Sequence, residues 1–136
     1  MWRKLERRGL TKSVRFLGRL SHEELVTAYA SSSVAVVPSL YEGFGLPAVE
    51  ALSCVVPVVA CAAGALPEVL GPDHSTGRVV PAYDTTAMAD AVAGLLDDPS
   101  CALRIGIAGR QRVVERFTWE RAAEETVEAY REAGAC

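Results

Sequence analysis

The sequence predicts an α/β domain in which a parallel sheet is flanked by helices. Three observations carry this. Short apolar runs alternate along the chain with stretches of helical spacing, the pattern of successive strand–helix units. The runs Val34–Pro38 and Val56–Ala60 show no polar alternation, as expected of strands covered on both faces. Half of the 136 residues are hydrophobic and only 7% are aromatic, which suits a buried sheet under helices rich in small residues. A chain of this length has room for one domain with a modest core, and residues 1–136 are read as a single partial domain.

The elements follow in order. Val14-Arg15-Phe16-Leu17 reads as a short strand. Ser21-His22-Glu23-Glu24 is a capping box that opens a helix to about Ser32. The Val34 run is the second strand, and after a glycine-rich turn a helix is expected over Leu46–Ser53, with Pro47 suited to its first turn. Val56–Ala60 is the third strand and Gly77–Pro81 the fourth. From Asp84, an N-cap residue, helical spacing runs through Met88, Val92, Leu95 and Leu96 until Asp97-Asp98-Pro99 stops it. Helices of about Ser100–Arg116 and Thr118–Gly134 close the chain, with Ile105, Ala108, Val113, Phe117, Trp119, Ala122, Val127 and Tyr130 expected toward the sheet.

Composition narrows the function classes. Cys54, Cys61, Cys101 and Cys136 show neither a CxxC pair nor metal-ligand spacing, so the thiols are read as reduced and the chain as cytoplasmic. His22 and His74 complete no zinc site and neither is a credible base; Asp97-Asp98 is read as solvated rather than metal-binding. Through Arg19 the chain holds seven basic residues and one acid, leaving seven basic residues against sixteen acids in the remainder. That end is read either as a solvated helix face or as a dock for anionic partners. No array of stacking aromatics accompanies the charges, so nucleic acid is not expected and membrane contact is at most peripheral. Met1-Trp2-Arg3-Lys4 is not followed by an apolar core, and no run reaches membrane-spanning length.

The chemistry concentrates in Glu42-Gly43-Phe44-Gly45-Leu46-Pro47-Ala48-Val49-Glu50, two carboxylates separated by seven residues around a glycine turn. Strand, glycine turn and helix start together aim backbone N–H groups and a helix dipole at an anion. Gly43 and Gly45 are expected to adopt positive φ and to let the backbone approach a ligand. Glu42 at the strand end and Glu50 in the early helix can accept hydrogen bonds from ligand hydroxyls. Phosphate and polyol together suggest a nucleotide sugar. The bland alternative is an ordinary strand–helix turn with Glu50 on an exposed face.

Pro38-Ser39-Leu40-Tyr41-Glu42-Gly43-Phe44-Gly45-Leu46-Pro47 through Glu50-Ala51-Leu52 resembles the donor-binding signature of retaining GT-B glycosyltransferases of family four. So do Pro57-Val58-Val59-Ala60, Gly64-Ala65-Leu66-Pro67-Glu68-Val69, Gly77–Asp84 and Phe117-Thr118-Trp119, covering about Gly9 to Tyr130. The resemblance implies the C-terminal half of a Rossmann-like donor-binding domain. It implies transfer of a sugar from a UDP-, GDP- or ADP-sugar to an acceptor hydroxyl with retention, without a metal or other cofactor. By that resemblance Glu42 contacts the transferring sugar as the catalytic residue, the backbone of Gly43, Phe44, Gly45 and Leu46 contacts sugar hydroxyls and phosphate, and Glu50 holds the ribose. Glu68 matches a position near the donor crevice and equally fits a helix-start carboxylate.

Two departures from the family pattern stand out. Val55 follows Cys54 where the family usually carries glycine, and a β-branched residue fits the left-handed region poorly; either the turn is built differently or the chain has drifted from selection, and Val55→Gly is expected to stabilise. The two preceding strand–helix units, their Arg/Lys phosphate grip and the acceptor domain find no match. In a 3-2-1-4-5-6 sheet the strands at Val14 and Val34 would then be left with open apolar edges. The expectation is a chain inactive alone and poorly soluble, rearranged, or completed by a partner. The alternatives are a non-catalytic module paired with a separately encoded N-terminal half, or a remnant whose reading frame continues upstream.

Overall fold

The computed structural model describes residues 2–71 and 73–134; Met1 and Cys136, named above, lie outside the described residues. Three parallel strands, β1 (Ala35–Val37), β2 (Val58–Cys61) and β3 (Arg78–Val80), form a sheet in the order β1-β2-β3. The register pairs Val36 with Val59 and Ala60 with Val79. Among the described residues seven helices accompany them: α1 (Trp2–Arg7), α2 (His22–Ala30), α3 (Leu46–Ser53), α4 (Leu66–Leu70), α5 (Thr85–Asp97), α6 (Pro99–Arg116) and α7 (Trp119–Gly134).

β2 is buried throughout, and its alternating side chains feed two clusters. Val58 and Ala60 join Leu52, Leu66, Val69, Leu70 and Val113 under α3, α4 and the end of α6. Val59 faces the other way, to Val80, Leu95, Ala102 and Ile105 under α5 and the start of α6. Leu52, Leu66 and Leu70 are fully buried, each contributing about 1.5–3 kcal/mol of transfer free energy. α6 fits against α3 because two of its residues are glycines. A Cβ on Gly106 would stand 2.1 Å from the Val55 carbonyl oxygen, and one on Gly109 would stand 2.4 Å from Leu52.

The local signals hold where they are complete. The capping box forms in both directions: the Glu24 amide donates to Ser21 Oγ at 3.3 Å, and the Ser21 amide to the Glu24 carboxylate at 2.8 Å. The helix it opens ends at Ala30 with Ser31 as C-cap, slightly short of the expected Ser32. Asp84 caps α5 through the Ala87 amide. β2 begins two residues later than expected because Pro57 has no N–H to give the ladder; its carbonyl instead accepts from Ala35 at 2.9 Å.

Four expectations are corrected. Val14–Leu17 is not a strand: residues 10–19 run as turns and irregular chain, and Phe16 packs against Trp2 with ring centroids 4.8 Å apart and planes tilted by 52°. A strand needs a hydrogen-bonded neighbour, and the sheet offers this segment none. β1 lies at an open edge of the sheet, as expected for the Val34 strand, but it is not covered on both faces, since Val36 is 44% exposed. The five-residue helix α4 was not expected as a separate element; Glu68 lies in its first turn and is exposed, a helix-start carboxylate. The largest difference is α7. Ile105 and Val113 are buried as expected and Phe117 is half-buried, but Trp119, Ala122, Val127 and Tyr130 all face solvent. The periodicity identified an apolar face correctly and assigned it the wrong neighbour. The basic N-terminal segment forms a short exposed helix with only Leu5 partly covered.

Candidate functional site

The glycine turn leaves the end of β1 and enters α3. Gly45 is the N-cap of α3 and carries the turn in the left-handed region, with φ +92°; there a Cβ-bearing residue is disfavoured. Gly43, expected to share that conformation, is absent from the positive-φ glycines, and a Cβ on it would meet only open space. Neither its backbone conformation nor packing among the described residues requires glycine there.

α3 has no side-chain cap. Instead the Gly45 amide donates to Glu42 Oε1 at 3.3 Å, so the half-buried Glu42 closes the turn on itself. Ala48 and Val49 N–H groups are taken by the Gly45 carbonyl, and Pro47 has none to offer. The amides of Gly43, Phe44 and Leu46 donate to no protein acceptor among the described residues. These are the donors an anion at the positive end of α3 would use. Glu50 lies one turn further along, exposed, on the face toward α2.

Three supports behind the turn were not legible as site residues. Gly64 crosses directly behind Glu42: a Cβ there would stand 1.8 Å from the Glu42 carbonyl oxygen, and the neighbouring Ala65 amide donates to that oxygen at 3.3 Å. Phe117 meets Phe44 edge-on, with centroids 5.9 Å apart and planes at 86°. Arg112 lies 6.0 Å from the Phe117 ring centroid while its guanidinium donates to the carbonyls of Val69 at 2.9 Å and Glu68 at 2.6 Å. It thereby caps α4 and props the aromatic pair. The quoted segments Gly64–Val69 and Phe117–Trp119 were the only signal for Gly64 and Phe117, Arg112 had none, and nothing in either segment said that they converge on Glu42 and Phe44.

The fourth support is Tyr29 on α2, whose hydroxyl donates to Glu50 Oε2 at 3.3 Å. Burial and then the nearby Glu50 charge push its phenol up to about 12, so it remains a donor at any physiological pH.

The other candidates take structural roles. Asp98 caps α6 through the Cys101 amide at 2.9 Å and accepts from Ser100 Oγ at 2.6 Å, which holds its carboxyl below the usual range. His22 starts α2 and His74 lies in an exposed loop, its carbonyl taken by Arg78. Cys54, Cys61 and Cys101 carry free thiols, and no helix among the described residues is long and apolar enough to cross a membrane. Two shallow cavities of about 330 and 240 Å³ lie away from the turn, one beside Val55 and α6 and one between β3, α5 and α6.

Val55 takes the left-handed position that ends α3. Its φ is +64°. The Val55 amide donates to Leu52 at 2.9 Å and the Val56 amide to Ala51 at 3.1 Å, the paired bonds of a Schellman motif with a β-branched residue at the position that favours glycine.

Comparison with known proteins agrees with this geometry. The family profile described as "Glycosyl transferases group 1" matches residues 3–112. Among curated proteins, the chain is 46% identical over 125 residues to the MMP alpha-(1->4)-mannosyltransferase of Mycolicibacterium hassiacum, covering 92% of this chain and 30% of that protein. Among solved structures, sucrose-phosphate synthase from Thermosynechococcus elongatus superposes with a TM-score of 0.89 at 40% identity, over 98% of this chain and 33% of that one. HepE from Anabaena, solved in complex with UDP-glucose, shares the fold with a TM-score of 0.87 at 23% identity, over 96% of this chain and 35% of its own. The chain thus spans about a third of the length of each of these proteins.

Proposed function

The chain belongs to the group 1 glycosyl transferases, and from that premise we propose that it supplies one wall of the donor site of a retaining glycosyltransferase. The donor is a UDP-, GDP- or ADP-sugar. The observation that carries the proposal is the turn itself: unpartnered amides of Gly43, Phe44 and Leu46 at the positive end of α3, flanked by Glu42 and Glu50. A diphosphate lies against those amides and the dipole of α3. Glu50 accepts the ribose hydroxyls. Glu42 releases Gly45 to accept from hydroxyls of the transferring sugar, and Phe44 packs alongside.

As the sugar–phosphate bond lengthens, negative charge grows on the departing nucleoside diphosphate. The fixed amides and helix dipole stabilise that charge more than they stabilise the bound donor, which lowers the barrier without a metal. The remaining phosphate contacts and the acceptor come from outside these 136 residues. The UDP-glucose held by HepE supports a nucleotide sugar as the ligand class.

Titration of the chain with UDP-, GDP- and ADP-sugars, followed by melting temperature, tests the binding part. A saturable rise with at least one donor, lost in Glu50→Ala, is expected. No shift with any donor at millimolar concentration contradicts it.

A second reading has its own observation. Trp119 and Tyr130 on α7 are 89% and 76% exposed, an apolar face of the kind covered by further protein. A non-catalytic module completed by a separately encoded half would co-purify with that half and show transfer only in the mixture. Transfer by the chain alone contradicts it.

A further inference from the structure

We infer that Tyr29 is a positioning residue that presents Glu50 to the ribose of the donor, an inference that rests on the donor-site reading above. Glu50 stands exposed on α3 with several rotatable bonds, and ordering such a side chain on a ligand costs conformational entropy. Tyr29 removes part of that freedom in advance. Its ring packs against the main core cluster from α2, so its hydroxyl is carried by a rigid element. The hydroxyl donates to Oε2 of Glu50 at 3.3 Å. An ionised carboxylate is purely an acceptor, and no other protein donor among the described residues engages Glu50. Oε1 of the exposed carboxylate is thereby left to accept from ribose hydroxyls. The phenol holds its proton to about pH 12, so the tether persists throughout physiological pH.

This contact differs from a merely structural one. A partly exposed hydrogen bond adds little to folding stability, while a carboxylate fixed in one orientation gains selectively for ligands that carry ribose hydroxyls. The test uses the full chain with UDP, GDP and ADP, each paired with its 2′-deoxy counterpart, in isothermal titration of the parent, Tyr29→Phe, Glu50→Ala and the double variant.

The expected result has four parts. Tyr29→Phe weakens binding of the preferred ribonucleotide about three- to tenfold. It narrows the ribo-to-deoxy ratio, leaves the melting temperature nearly unchanged, and adds no loss to Glu50→Ala. Parent-like affinity and ratio in Tyr29→Phe, with Glu50→Ala impaired, overturn the inference alone. So does an equal loss for ribo and deoxy ligands, which reports general damage. If Glu50→Ala itself changes nothing, the donor-site reading fails and the inference with it.

Discussion

Val55 gives a prediction whose sign the backbone decides. In the left-handed region a side chain with a Cβ costs on the order of 1–2 kcal/mol, with a branched one at the upper end, and Val55 sits there at φ +64°. Val55→Gly removes that strain. Against it stand about 0.4–1 kcal/mol from the freer unfolded chain and somewhat under about 1 kcal/mol of half-exposed methyl contact. A net gain of roughly 0.5 kcal/mol remains, a rise in melting temperature of about 2–3 °C. Val55→Ala is the informative partner, because it loses nearly the same methyl contact and keeps the Cβ. At an interior helical position alanine is the more stable of the two by about 1 kcal/mol. At Val55 the order should invert, with glycine above alanine by roughly 0.5–1 kcal/mol. Thermal denaturation of the two variants followed by circular dichroism reads this directly. Alanine melting above glycine, or glycine melting below the parent, would refute the reasoning.

Three further outcomes are expected. Gly64→Ala drives a Cβ into the Glu42 carbonyl at 1.8 Å, so it should cost about 3 kcal/mol or more and abolish any nucleotide response, both read in one melting titration. Phe117→Ala removes the half-buried partner of Phe44 and the ring beneath Arg112, for a loss of about 1–2 kcal/mol by urea denaturation. The pH dependence follows from two kinds of group. Tyr29 holds its proton more tightly when folded, so its contribution is whole below about pH 10 and is lost as pH rises toward about 12; Tyr29→Phe should remove that alkaline limb. Glu24, Asp73 and Asp98 are lowered by hydrogen bonds from Ser21, Ser75 and Ser100 respectively, so their contributions are present at neutral pH and lost as acid titrates them below the usual carboxylate range.

Legibility in the sequence tracked the range of the interaction. The Ser21–Glu24 capping box, the α3 start at Leu46-Pro47 and the Asp84 cap each depend on a few adjacent residues, and each formed as read. The strands at Val34 and Val56 were legible from continuous apolar runs, and so was the open edge at Val34, but the exposed face of β1 was not, because face coverage depends on helices packed from elsewhere in the chain. The Val14 segment has strand composition without a partner to pair with. The apolar face of α7 was visible in its spacing, while what covers that face is not encoded within the helix. The candidate site divides in the same way. Glu42, Gly45 and Glu50 announced themselves by spacing, whereas Gly64, Arg112, Phe117 and Tyr29 reach the turn only through the fold. Gly43 shows the limit of composition: a glycine marks permission, and here the fold uses neither the backbone freedom nor the space.

The most direct test is a map of amide chemical shifts as UDP or GDP is added to the isotope-labelled chain. The turn predicts that the largest changes fall on Gly43, Phe44, Gly45 and Leu46, with smaller ones at Glu50 and Tyr29, and that they vanish in Glu50→Ala. Changes centred instead on the groove beside Val55, Ile107 and Val114, or spread without focus, would contradict the assignment of this turn as the donor wall.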